Sequence, residues 1–256
     1  MNIVILGSGN VATVLGSALS EAGYKIIQVW SRNVKHAEAL ASLLHSHFTD
    51  DLSLIDSSAD LYLIAISDDA IKDLKSSLPS FKGIVVHTSG STSIDILRDK
   101  FENFGVFYPF QTFSKDRKIS FNEVPILLEA SNLKAMEVLE SVASSISNRV
   151  QECNSDQRKA LHIAAVFACN FTNHLYTIAQ KLLEEYQLDF DLLRPLIAET
   201  AQKVQEFKPE DVQTGPAVRK DMVTINSHLK QLESHPELLT VYSLLTKYII
   251  SGSSKN

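Results

Sequence analysis

Apolar residues change rhythm along this chain. Over roughly the first 150 positions, short apolar runs alternate with segments where apolar side chains recur every three or four residues. Residues 2–6 and 24–30 are runs of the first kind, and 61–66 and 83–87 are continuously apolar, as strands covered on both faces are. A short run at 47–48 fits a further strand, and 105–108 and 124–129 fit later ones. Between them, 10–22, 34–44, 71–78 and 133–146 carry helical spacing; in the first of these, Val11, Val14, Leu15, Ala18 and Leu19 share one face. Strands alternating with helices predict βαβ units, hence an α/β fold: a doubly wound, mainly parallel sheet with helices on both faces.

Near residue 150 the strand signals stop. Residues 155–185 read as one long helix that Asn154 or Ser155 can cap. Further helical stretches cover 191–207, 220–233 and 236–250, separated by Pro209, by Gly215-Pro216 and by His235-Pro236. The pattern predicts an α/β domain over 1–150 and an all-α domain over 151–256. The small, polar tail after Ser251 is expected to fray.

Candidate chemistry begins at the first strand-to-helix turn, Gly7-Ser8-Gly9-Asn10-Val11-Ala12. A dinucleotide pyrophosphate needs this arrangement. Gly7 permits a tight turn, Gly9 lets the phosphates approach the backbone, and Ala12 lets the helix pack close to the strand. The helix then offers free N–H groups and a partial positive charge. An NAD site usually places Asp or Glu after the second strand to accept from the ribose 2′-hydroxyl. This chain has Trp30-Ser31-Arg32-Asn33 there. Arg32 can stack on the adenine or pair with a 2′-phosphate, with Ser31 and Asn33 adding hydrogen bonds, so the expected cofactor is NADP(H).

In open α/β sheets ligands bind beyond the carboxyl ends of the strands. Two such ends are polar: Ile66-Ser67-Asp68-Asp69 and His87-Thr88-Ser89-Gly90-Ser91. Ile66, Ser67, Asp68, Thr88 and Ser89 are expected to border the nicotinamide and its ribose. Asp68 and Asp69 equally suit a helix N-cap, and Ser89 and Ser91 a turn. His87 is either a proton donor or a hydrogen-bonded core histidine. In the long helix, Arg158, His162, Asn170, Asn173 and His174 interrupt an apolar segment. On a helical wheel His162 and Asn173 fall about 20° apart, with Asn170 about 60° further round. Such a stripe faces either the nicotinamide or another helix. His162, Asn170 and His87 are the candidate catalytic side chains. The His162–His174 spacing, with no carboxylate beside it, predicts no metal site. The segment from Thr214 to Asp221 offers Arg219 and Asp221 to an anionic substrate, to a tie between the helical domain and its neighbour, or to a local ion pair on a surface turn.

Composition excludes several classes. The 256 residues are 45% hydrophobic and 21% charged, as in ordinary globular chains. A net charge of −6 argues against nucleic acid as a partner. No apolar run reaches the roughly 18 residues that span a bilayer, and the chain opens directly on a strand-like run, so neither membrane nor export is expected. Cys153 and Cys169 stand outside any paired spacing and are expected to stay reduced in a cytoplasm.

Taken together, the residues resemble a known family. The likeness rests on Gly7 through Ala12, on His87-Thr88-Ser89-Gly90, and on Tyr108-Pro109-Phe110-Gln111-Thr112-Phe113. It continues in His162 through Asn170 and in Thr214-Gly215-Pro216 with Arg219 and Asp221. The chain resembles the NADP oxidoreductases that join a Rossmann-like domain to a C-terminal helical domain of unknown function (DUF2520). More distantly it is similar to pyrroline-5-carboxylate reductase, the F420-dependent NADP reductase domain and the β-hydroxyacid dehydrogenases. The resemblance implies a helical domain serving substrate and dimerisation, and a homodimer that shares helices. It implies no particular substrate. The β-hydroxyacid dehydrogenases place a Lys, followed four residues later by Asn, on the long helix; this chain has His162 and Asn170 and no Lys in that stripe. The expected function is NADPH-dependent reduction of a small C=N or C=O compound. The alternatives are a nucleotide-binding sensor or scaffold without turnover, and a metal or flavin reductase.

Overall fold

The computed structural model describes residues 1–115, 117 and 119–252, so residues 253–256 of the polar tail lie outside it. Internal contacts divide the chain into two compact units, Met1–His174 and Leu175–Asn256.

The first unit is built on an eight-stranded sheet in the order β3-β2-β1-β4-β5-β6-β7-β8. Its strands are β1 (Asn2–Leu6), β2 (Lys25–Trp30), β3 (His47–Thr49), β4 (Leu61–Ile64), β5 (Ile84–His87), β6 (Phe104–Pro109), β7 (Ile126–Ala130) and β8 (Val150–Glu152). Helices α1 (Asn10–Glu21), α2 (Val34–Leu44), α3 (Asp68–Ser77) and α4 (Leu133–Ser144) connect them. Every residue of β4 and β5 is buried, which is why both read as unbroken apolar runs. In β1, Ile3 and Ile5 join the core beneath α1, α2 and α4, while Val4 and Leu6 join the core on the other face with Ile71 and Leu74 of α3. The sheet is therefore covered on both sides, as the alternation predicts.

Two features depart from the pattern. The β6–β7 pair is antiparallel, with Phe107 opposite Leu128. The chain between them contains a single 3-10 turn, Phe121–Glu123, and no crossover helix among the described residues, so it returns along the edge. Strand β8 was not expected. Two of its three residues are polar and give no periodicity, yet the strand pairs parallel to β7.

The long helix is also interrupted. Helix α5 (Ser155–Ala165) starts from a capping box in which the Asn154 side chain and Gln157 bond each other's backbone ends. A π-helical turn, Val166–Phe171, follows, and then α6 (Thr172–Glu185), within which the division between the units falls. A π turn changes the angular step, so a stripe drawn with α-helical spacing does not survive it.

In the second unit, α7 (Arg194–Glu206) is preceded by a 3-10 turn. It is followed by α8 (Met222–Gln231) and α9 (Pro236–Gly252). Asp221 is the N-cap of α8 and accepts from the Thr224 backbone and hydroxyl. These bonds hold its carboxyl below the usual range. Among the described residues no helix is long and apolar enough to cross a membrane.

Candidate functional site

The turn after β1 adopts the conformation its glycines allow. Gly7 has φ +132°, and a Cβ on it would lie 2.1 Å from the Ala65 carbonyl oxygen, so conformation and space both exclude a side chain. At Gly9 a Cβ would meet nothing within 4 Å, leaving open surface above the backbone. Gly9 is the N-cap of α1, with no side-chain cap and no acidic residue in the first turn. The first N–H groups of α1 therefore have no side-chain partner, which suits an anion. Ala12 is buried beneath the turn, and a Cβ on Gly16 would press on Ile5 and Leu44 at 2.8 and 2.9 Å.

Ser8 Oγ donates to Ser31 Oγ at 2.9 Å, tying the turn to the end of β2. Arg32 follows, exposed, while the Asn33 side chain is taken up capping α2 through the amides of Lys35 and His36. Asn33 Oδ1 thus serves as a helix cap, and the residue does not border the cleft. The residues present fit a dinucleotide with a 2′-phosphate: an open glycine turn, and a cation where an NAD site would place a carboxylate.

A cleft of about 510 Å³ runs along the strand ends. Residues 7–11, Ser31 and Arg32, residues 66–68, Thr88, Ser89 and His162 all border it. Asp68 and Asp69 sit in the first turn of α3 and neither is the N-cap, which is Ser67. Ser91 Oγ donates to the Asp68 carboxylate, joining the β4 and β5 rims. Ser89 is a turn residue whose hydroxyl accepts from the amides of Ser91 and Thr92. Two expected site residues lie elsewhere. Asn170 is exposed on the π-helical turn and does not border the cleft. His87 is fully buried. Its Nδ1 accepts from the Ser89 amide at 3.2 Å, and Nε2 makes no hydrogen bond among the described residues. Burial, helped by the nearby Arg158 cation, pushes His87 down to about 4 against weaker pulls from the Ser93 backbone and Asp68. It is neutral at physiological pH.

Tyr108, at the end of β6, borders the cleft and was absent from the expected site. Its hydroxyl lies 3.2 Å from His162 Nδ1. The strand-end rule that picked out residues 66–69 and 87–91 applies equally to Tyr108-Pro109 and could have found it. Burial and the Asp68 charge push the Tyr108 hydroxyl above its ordinary value, partly opposed by Arg158, so it keeps its proton near neutrality. Gly90 makes room for the pair: a Cβ there would sit 2.7 Å from both His162 Nδ1 and the Tyr108 oxygen.

Behind the pair, Arg158 is fully buried one turn before His162 on α5. It pairs with Glu129 at 2.6 Å and donates to the carbonyls of Ser89 (3.1 Å) and Thr92 (2.6 Å). Arg158 therefore fastens the β5 rim to β7 from inside; it is neither a ligand contact nor part of a helix-to-helix stripe.

An open glycine turn and a Tyr108–His162 pair bordering one cleft of an α/β fold suit the class of dinucleotide-dependent oxidoreductases. Comparison with known proteins narrows this. A family model for coenzyme F420-dependent NADP oxidoreductases matches residues 2–89, and one for a domain of unknown function, DUF2520, matches residues 124–249. A Bacteroides fragilis protein assigned provisionally as an NADP oxidoreductase is 42% identical, covers 98% of both chains and superposes with a TM-score of 0.93. The chain belongs to this family of NADP oxidoreductases, in which a Rossmann-like domain precedes a DUF2520 domain. The fold extends to more distant structures. The imine reductase of Myxococcus stipitatus, solved with NADP⁺, is 18% identical over 99% of this chain and 94% of its own, with a TM-score of 0.66. The 1-pyrroline-5-carboxylate reductase of Streptococcus pyogenes is 12% identical over 100% and 99%, also at 0.66. Among curated proteins no match is found.

Proposed function

We propose that the protein is an NADPH-dependent reductase of a small compound carrying a C=N or C=O bond. One observation supports this most: an open glycine turn and the Tyr108–His162 pair border a single cleft. Two of the structures that share the fold are, by name, an imine reductase and a pyrroline-5-carboxylate reductase.

In this reading residues 7–11 receive the pyrophosphate, and Ser31 and Arg32 meet the 2′-phosphate. Ile66, Ser67, Asp68, Thr88 and Ser89 border the nicotinamide ribose. NADPH, when bound, supplies the hydride. The chain's part is to hold the substrate against it and to provide a proton. Tyr108 keeps its proton near neutrality and gives it to the nitrogen or oxygen where negative charge develops. His162 Nδ1, at 3.2 Å, orients the hydroxyl and restores its proton. His87, neutral and buried, takes no part.

The working form in this proposal is a homodimer. Ile163, Phe167 and Phe171 on α5 and the π-helical turn are 60%, 65% and 51% exposed, a partnerless apolar face that a second copy would cover. Asn170 stands on the same exposed turn and would meet the partner.

The test is to titrate the protein with NADPH and NADH by nicotinamide fluorescence, then to screen cyclic imines and small ketones for NADPH oxidation. Tyr108→Phe and His162→Ala should each lower kcat about 100-fold while leaving NADPH affinity within about threefold. Tight NADPH binding with no turnover over the whole panel would reassign the protein as a nucleotide-binding sensor.

A further inference from the structure

The loop between β6 and β7 reaches back over the glycine turn. Phe113 stacks on the buried Phe121 with ring centroids 5.7 Å apart and planes 15° apart, and Ile119 packs against the same core. These contacts anchor the loop's stem. The Phe113 carbonyl accepts from Asn10 Nδ2 at 3.0 Å, and Lys115 Nζ donates to the Ser8 carbonyl at 2.8 Å. Lys115 is thus brought 107 positions back along the chain to the residue whose hydroxyl holds Ser31. Arg32 is the next residue. Among the described residues neither Arg32 nor Lys115 enters an ion pair. In a chain with 30 acidic and 24 basic residues, two cations that no described carboxylate pairs, joined through Ser8 and Ser31, suit an anion.

Resting on the reading of the cleft as an NADPH site, we propose that Lys115 is a second cation for the cofactor's 2′-phosphate, acting beside Arg32 across the Ser8–Ser31 hydrogen bond. The roles are complementary. Arg32 presents a planar fork that suits a phosphate edge, and Lys115 a compact charge on a long stem that swings from the Ser8 carbonyl to a phosphate oxygen. The phosphate is nearly dianionic, so one guanidinium leaves about one charge uncompensated. Lys115 supplies the balance. A pyrophosphate contact would use the same ammonium chemistry, but it would serve NADH and NADPH alike.

Isothermal titration of wild type and Lys115→Gln with NADPH, NADH, 2′,5′-ADP and 5′-ADP, at low and high salt, separates these cases. Lys115→Gln is expected to weaken NADPH and 2′,5′-ADP about tenfold and to leave NADH and 5′-ADP within about twofold. The salt dependence of NADPH binding should become shallower, and Lys115→Arg should restore most of the affinity. The side chain is exposed, so thermal unfolding should not change. Equal weakening of all four ligands would move Lys115 to the pyrophosphate and overturn the assignment; unchanged binding of all four would overturn it outright. Wild type that binds neither NADPH nor NADH would instead sink the reading of the cleft, and this proposal with it.

Discussion

Replacing Arg158 with Met tests how the reactive end of the cleft is held. Methionine keeps much of the side chain's length and removes the guanidinium. That group is fully buried and makes five polar contacts: Glu129 at 2.6 Å, the Ser89, Thr92 and Cys153 carbonyls at 3.1, 2.6 and 3.5 Å, and Ser155 Oγ at 3.2 Å. Removing one partner of a buried pair costs about 3–5 kcal/mol, because the other is left uncompensated. The Glu129 side chain is 18% exposed, so water can reach it, and Ser155 Oγ still donates to it at 2.8 Å. Both facts place the cost near the lower end, about 3 kcal/mol. For a chain of this length that lowers Tm by about 6–12 °C.

The assay is urea unfolding followed by far-UV circular dichroism, with calorimetry for Tm. A double variant, Arg158→Met with Glu129→Leu, removes both charges and should be less destabilised than Arg158→Met by at least about 1 kcal/mol. In the single variant the Ser89–Thr92 rim is unfastened beside Tyr108 and His162. Its kcat should therefore fall more than its affinity for 2′,5′-ADP, which the proposed function assigns to the glycine turn. An Arg158→Met protein within about 0.5 kcal/mol of wild type would refute the reasoning. So would a double variant that loses as much as the two single changes added together.

Gly90→Ala puts a Cβ 2.7 Å from both members of the proton-bearing pair. It should cut kcat at least about tenfold without changing NADPH affinity, and full activity would show that the pair tolerates displacement. His87 makes stability depend on pH. It is neutral in both states above its ordinary 6.5, but between 6.5 and about 4 the unfolded chain takes up a proton that the folded chain refuses. Stability should fall by up to about 3 kcal/mol across that window as pH drops, with no further loss from this group below it. His87→Asn should flatten that limb in urea unfolding from pH 7 to 4; an unchanged slope would remove His87 as its cause. Asn154→Ala opens the capping box of α5 and should cost about 1 kcal/mol, read from the same unfolding curves.

How much of this was legible in the sequence follows from how local each feature is. The glycine turn could be read because its chemistry lies in six consecutive residues between a strand and a helix. Strands β4 and β5 could be read because burial on both faces leaves them apolar up to His87 at the end of β5, with Tyr62 the one polar-tipped side chain among them. The direction of β7 could not, since it depends on what a loop without a crossover helix does in space. The π-helical turn adds a residue to one turn of a helix whose spacing is otherwise regular, so wheel arithmetic carried His162, Asn170 and Asn173 to one face. Arg158 looked like one more polar residue on that face. Its burial becomes intelligible only with Glu129, 29 positions earlier, and the Ser89 and Thr92 carbonyls, 69 and 66 positions earlier.

The two ends of the cleft are accordingly made in different ways. In the proposed reading most of the phosphate end comes from one βαβ unit, and Lys115 joins it from the loop between β6 and β7. The reactive end has no local motif. It needs the end of β5 for Gly90, the end of β6 for Tyr108 and the middle of α5 for His162, three segments that meet only when the sheet is complete and α5 is seated. The buried Arg158 lies one helical turn from His162 and bonds the same rim that carries Gly90, so a single side chain sets both the seat of α5 and the position of the rim. A substitution at Gly9, where a Cβ would meet nothing within 4 Å, should therefore act on cofactor affinity alone. One at Arg158 should act on stability and turnover together, because at that end the fold and the site share a residue.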